Sequence, residues 1–535
     1  MILRLLLVSA SLLFTFTGQR SASAVLSASV AASLMSPVPG KAPGLEERVV
    51  QHTLKNGMTL LLVERHQTPV ISINLVFGVG GANEQFGMTG VAHLYEHMAF
   101  KGTETLGTKD YARERPVLTE LDRLSGQIEA HQRLLESKGY GARVDDDPEL
   151  RQLRQKFKEV QERAQQWVVG NELALLYQRH GAVGLNASTG KDVTRYTVSL
   201  PANRLPLWAA IEADRMSHPV LREFYKERAV VMEERRLRTD DSPHGLLYET
   251  FTAAAFQAHP YGFPTIGWAS DIQSLTPAMT EEFFRQYYGP GNAVIAIVGD
   301  INPPEVIKLV EQSFGKIPAS GAPPRIVTVE PSQRGERRVE VEFDAEPILL
   351  IGYHKPGLEH PDDFVFDVID SVLSEGVTSR LFHRLVREQR VAASIGVEAS
   401  FPGVRDANLF VVSAVPLAPH TAAEVEQAIY EELERLKREP VTPRELEKVL
   451  NNLDAALVRS LRSNSGLASQ LSYFQIVSGS WQYLLRARDR IAAVTPADIQ
   501  RVAATYFVKP NRTVATLVKP PAPAQSAMTM SPGSR

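Results

Sequence analysis

Two short runs of mostly apolar residues open the ordered part of the chain, 58–63 (Met-Thr-Leu-Leu-Leu-Val) and 70–77 (Val-Ile-Ser-Ile-Asn-Leu-Val-Phe). Their β-branched content and the Asn56-Gly57 turn signal ahead of them predict strands. Further on, 184–189 and 194–200 predict a second strand pair, and 293–298 a buried strand. Helices are expected at about 206–216, 222–238 and 277–288, the last opened by Thr276 as cap and Pro277 at its first position. Between these lies a different rhythm. Val117, Leu121, Leu124, Ile128, His131 and Leu135 alternate spacings of four and three, and so do Leu150, Leu153, Phe157, Val160, Ala164 and Trp167. With 139–148 as the break, this predicts a helical hairpin over 112–170 zipped by a short coiled-coil seam. His131 falls on the seam, where packing is the expected role.

The pattern repeats. Thr276 and Tyr287 have counterparts 219 residues on at Thr495 and Tyr506, each followed by an Asn (292 and 511) and a strand. Near the start of each half, Pro69-Val70-Ile71 resembles Pro347-Ile348-Leu349, 278 residues on. The first half is longer by about the length of the hairpin. The fold class expected is therefore α+β: two homologous α/β sandwich domains, with the hairpin inserted in the first. The boundaries are 45–318 and 337–520, joined by a Pro- and Gly-bearing linker at 319–336.

Length supports this, since 535 residues exceed one ordinary domain. Hydrophobic content of 44% and charged content of 22% suit large buried cores. A net charge of −3 gives no sign of a nucleic-acid partner. Arg4, the apolar stretch 5–16 and Ala22-Ser23-Ala24 form an export signal over 1–24, followed by a linker at 25–44. No later stretch is long and apolar enough for a stable membrane span, so export is expected, to the periplasm in a Gram-negative cell. Residues 521–535 are expected to be a disordered tail.

The candidate chemistry sits at 91–103, read as one helix closed by Gly102. His93 and His97, four apart, share a helical face and can grip one metal ion. Glu96 flanks that face, placed to take a proton from a water at the metal. The pattern H-x-x-E-H is the inverted form of the commoner zinc-protease motif. An alternative is a polar helix face that happens to carry two histidines. The chain holds no cysteine, so a third ligand must be a histidine or a carboxylate. Glu227 and Glu234 lie seven apart on one face of a predicted helix, so Glu234 can ligate while Glu227 supports the site; each could equally be a surface carboxylate. At the 278 offset Ser371 stands opposite His93 and Glu375 opposite His97, so only the first half is expected to carry a metal.

These residues resemble the M16 (pitrilysin, or insulinase) metallopeptidases, in the two-domain branch related to the mitochondrial processing peptidase. The resemblance spans most of 45–520 and includes His93-Leu94-Tyr95-Glu96-His97, Phe100-Lys101-Gly102-Thr103, Asn186-Ala187, Glu227 with Glu234, His259-Pro260-Tyr261-Gly262 and Gly267-Trp268. It implies two domains of the processing-peptidase type and one Zn2+ per chain on His93, His97 and Glu234. It implies catalytic roles for Glu96 and Glu227, and substrate-backbone pairing by Asn186 and Ala187. An Arg and a following Tyr in the second half usually bind the substrate carbonyl. Arg387 fits the first, but Ala393 or Ser394 stands where the Tyr belongs. The expectation is an exported zinc endopeptidase cutting unfolded or short peptides, paired with a zinc-less M16-like subunit or a second copy of itself. The competing expectation is a non-proteolytic peptide-binding or assembly subunit that keeps the fold.

Overall fold

The computed structural model describes residues 44–139 and 141–520. The export signal, the linker up to residue 43 and the tail 521–535 lie outside the described residues. The chain forms two sheets. The first combines β1 (Val49–Thr53), β2 (Thr59–Glu64), β3 (Val70–Phe77), β4 (Val183–Thr189), β5 (Thr194–Pro201) and β6 (Ala293–Gly299), in the order β1-β2-β6-β3-β5-β4. The second combines β7 (Arg337–Glu342), β8 (Ile348–Lys355), β9 (Ala392–Phe401), β10 (Asn408–Pro416) and β11 (Arg512–Val518), in the order β7-β11-β8-β10-β9. Removing β1 makes the two orders identical. Each has one parallel pair, β2 with β6 and β7 with β11, in an otherwise antiparallel sheet. The starts of β3 and β8 are 278 residues apart, and helices Pro277–Tyr287 and Pro496–Tyr506 are 219 apart, as the sequence repeat predicts. The chain is a two-domain α+β protein.

Alternation within the strands decides what covers each face. Leu60, Leu62, Ile73 and Leu75 face a core built with Val91, Leu94, Tyr95 and Trp208 from helices of the same half. Leu61, Val63, Val294, Ala296 and Val298 face the other way, onto Leu467, Ala468 and Leu471 of helix Asn464–Ser478, which belongs to the second half. With both faces covered, β6 is buried along its whole length. The exchange is reciprocal. Helix Pro243–Ala255 of the first half lays Leu247, Phe251 and Ala255 on Leu350, Leu409, Ala515 and Leu517 of the second sheet. Phe251 comes so close to β8 that a Cβ at Gly352 would sit 2.5 Å from its Cζ, so that position needs glycine.

The hairpin consists of helices Tyr111–Ser137 and Pro148–Gln165, capped by the side chains of Asp110 and Asp147. Leu121, Leu124, Val160 and Ala164 form its seam. His131 packs there and also meets the cap, with Nε2 2.9 Å from Asp147 Oδ1. Trp167 falls beyond the end of the second helix, where the Arg113 guanidinium stands 5.8 Å from its ring. At the root, Arg222 is 1% exposed and donates to Glu114 Oε1 at 2.9 Å and to the backbone oxygens of Lys101, Thr103 and Leu106.

Two helices differ from expectation. The one beginning at Val91 ends at Met98, and the chain then tightens into turns closed by Phe100 N on His97 O and Lys101 N on Met98 O. Gly102, at φ 101°, ends that turn with the Arg222 guanidinium packed against it. The helix expected from 222 starts instead at Phe224, because Arg222 is drawn into the hairpin root. It runs to Arg235 and passes into a π-helical turn, Arg236–Asp240.

Candidate metal centre

Helix Val91–Met98 is set in place at both ends. Its N-terminus points at the buried carboxylate of Glu84, which accepts from Gly90 N and Ala92 N at 2.8 Å each. A carboxylate there answers unpaired N–H groups and the positive end of the helix dipole together. On the core face Tyr95 packs on Tyr288 and Phe284, with ring centroids 4.4 and 5.0 Å away. That fixes the rotation of the helix and turns His93, Glu96 and His97 to the opposite side.

Glu234 reaches them from helix Phe224–Arg235. One ligand atom each from His93, His97 and Glu234 lies within 4.8 Å of the others, and among the described residues this is the one such group of three histidines or carboxylates. Glu234 Oε2 is 3.4 Å from His97 Nε2 and 3.8 Å from His93 Nε2. Two turns earlier on that helix, Glu227 Oε2 lies 3.4 Å from His97 Nδ1, the nitrogen that faces away from Glu234. The other Glu227 oxygen contacts the Lys101 ammonium. Glu96 points to β4, whose Thr189 hydroxyl donates to its Oε2 at 2.6 Å.

The electrostatics suit a cation. Burial, with His97 adding to it, holds His93 down to about 4, so the ring is neutral as a ligand must be. Its Nδ1 is buried without a protein hydrogen-bond partner. For His97 burial opposes the charge but is outweighed by Glu227 and Glu234, which push it up to about 9. Three carboxylates converge there, so negative charge is in excess. Burial raises Glu96 above the usual carboxylate range, with Thr189 pulling the other way. These residues fit a divalent ion with two nitrogen ligands and one oxygen ligand.

β4 is an edge strand, bonded to β5 on one side. Asn186 is exposed and Ala187 half-buried, paired with Thr197 and Tyr196 across the ladder. The unpaired edge of β4 begins beside Glu96 and offers backbone groups to an extended chain. Arg387 is not brought to the centre. It lies exposed on the π-helical segment Phe382–Glu388, its guanidinium 5.9 Å from the ring of Phe382. In the second half, Ser371 donates to Glu375 Oε2 at 2.6 Å.

The family model described as "Insulinase (Peptidase family M16)" matches residues 59–132, and "Peptidase M16 inactive domain" matches 274–453. The chain is 28% identical over 475 residues to the zinc protease PqqE of Helicobacter pylori, covering 88% of this chain and 92% of that one. The chain belongs to the M16 family. A crystal structure of a protease from Helicobacter pylori superposes on this M16 chain with a TM-score of 0.73 at 29% identity, covering 88% of this chain and 99% of the other. The periplasmic protease PqqL of Escherichia coli shares the fold, with a TM-score of 0.64 at 17% identity over 89% of this chain and 48% of its own.

Three contacts of this M16 centre are not foreshadowed by the motif. Thr189 on Glu96 and Lys101 on Glu227 come from segments the sequence marks, but their partners are distant in the chain. Arg238, 2.8 Å from Glu234 Oε1, has the look of an ordinary i,i+4 surface pair.

Proposed function

We propose that the chain is an exported zinc endopeptidase acting on unfolded or short peptides bound in extended form. The observation that carries this reading is the convergence of His93, His97 and Glu234 beside a buried Glu96, at the start of an open strand edge. Those three residues would hold one zinc ion, which when bound supplies a Lewis acid that acidifies water and polarises a carbonyl. Glu96, raised by burial, takes a proton from the attacking water at its carboxylate and returns it to the leaving amine. Glu227 keeps the His97 ring oriented. Asn186 and Ala187 on β4 pair with the substrate backbone, so the peptide lies as an added strand past Glu96.

Arg387 stands apart, and Ala393 and Ser394 offer no phenol. A partner subunit, either a zinc-less relative or a second copy, supplies the carbonyl-binding pair in this reading. Export rests on residues 1–24 and on the likeness to a protein described as periplasmic. Among the described residues no helix is long and apolar enough to cross a membrane.

The exposed position of Arg387 favours a second reading, a binding or assembly subunit that keeps the metal and does not cut. Incubating the mature chain with a quenched, unstructured peptide library, zinc content being measured in parallel, separates the two. Cleavage with one zinc per chain supports the peptidase. Zinc without cleavage, both alone and with a zinc-less partner, supports the binding subunit.

A further inference from the structure

Glu234 divides its two oxygens between different tasks. Oε2 faces His97 and His93 at 3.4 and 3.8 Å, and Oε1 is held 2.8 Å from Arg238 Nη1. Arg238 lies on the π-helical turn Arg236–Asp240, a distortion that recurs at functional sites. Its neighbours are engaged elsewhere: Arg235 with Glu249 and the Gly267 carbonyl, Arg236 with Glu233 and Asp241. Arg238 is thus the arginine of this turn that meets a residue of the metal cluster. It is close enough for its charge to bear on His93 and Glu96 as well.

The chemistry gives this contact a purpose. A carboxylate can bind a cation through one oxygen or through both. A catalytic zinc site needs three protein ligand atoms and an open position for water. If Glu234 turned its second oxygen inward, that position would be taken. We propose that Arg238 is a positioning residue that pins Glu234 Oε1 outward, so that Glu234 ligates through Oε2 alone and the water position stays open. An exposed i,i+4 pair is worth only about 0.3–0.5 kcal/mol to helix stability. Arg238 is exposed along 66% of its side chain against 17% for Glu234, so its value lies in orienting Glu234 and not in holding the fold.

This inference rests on the zinc reading, and the test separates the two. The full mature chain, stripped of metal, is loaded with Co2+, whose visible absorption weakens as its coordination number rises. Wild type, Arg238→Ala, Arg238→Lys and the control Arg236→Ala are compared for that spectrum, for zinc affinity against a chromophoric chelator, and for peptide cleavage. Failure of wild type to bind one Co2+ would end the zinc reading itself. Given wild-type binding and cleavage, Arg238→Ala is expected to weaken the absorption severalfold. It should also lower kcat on the order of tenfold with little change in KM. Arg238→Lys restores part of both, and Arg236→Ala matches wild type. An Arg238→Ala spectrum like that of wild type overturns the inference, whether or not kcat falls. Should Arg238→Ala fail to fold, Arg238→Gln carries the same comparison.

Discussion

His97 Nδ1 stands 3.4 Å from Glu227 Oε2, on the far side of the ring from the nitrogen that faces Glu234. The contact settles which nitrogen is free for a metal and stops the ring from turning. Lys101, touching the other Glu227 oxygen, keeps that carboxylate charged, and Glu227 is held below the usual range despite its burial. Replacing Glu227 with Ala should therefore weaken zinc binding about 10–100-fold, as read by chelator competition. An unchanged affinity would remove Glu227 from the site.

Glu96→Gln keeps size and hydrogen bonding but cannot take a proton. Cleavage should fall by about 10²-fold or more, while zinc remains at one per chain by elemental analysis. Loss of zinc from this variant would mean that Glu96 is a ligand and not the base.

The Thr189 hydroxyl stabilises the ionised form of Glu96 against a burial that favours the protonated form. Thr189→Val removes the donor, so the Glu96 pKa climbs further and the base form is lost at higher pH. The acidic limb of the kcat/KM profile should move upward in pH, and Thr189→Ser should return it. A shift downward would contradict the assignment.

Glu114 is fully buried against Arg222 at the hairpin root. Removing one partner of such a pair leaves an uncompensated charge, which costs about 3–5 kcal/mol. Glu114→Ala should lower the denaturant midpoint accordingly, and a loss below about 1 kcal/mol would indicate that water reaches the root.

Much of the centre is legible in sequence because it is built from local spacings. Two histidines four apart and two glutamates seven apart each fall on one face of one helix, whatever the rest of the chain does. The sheets follow from alternation and from the repeat, whose offsets reappear in the strand orders. What escapes is whatever depends on distant partners. Arg222 reads as helical yet is captured by Glu114, more than a hundred positions earlier. Arg387 matches by alignment, but alignment does not say where its segment packs. Spacing alone does not reveal that Arg238 meets a candidate ligand carboxylate. Nor could the sequence show which sheet the helices Pro243–Ala255 and Asn464–Ser478 would cover.

That last feature reaches beyond the site. Since each half finishes the core of the other, the molecule has the logic of a domain-swapped dimer tied into a single chain. A cut within the linker 319–336 would leave two fragments still clasped together. Either fragment made alone would carry a bare apolar sheet face and an orphaned helix, prone to seek another copy. The strand edge and the metal centre thus owe their rigidity in part to a helix encoded nearly two hundred residues after β6, and the two halves should melt as one.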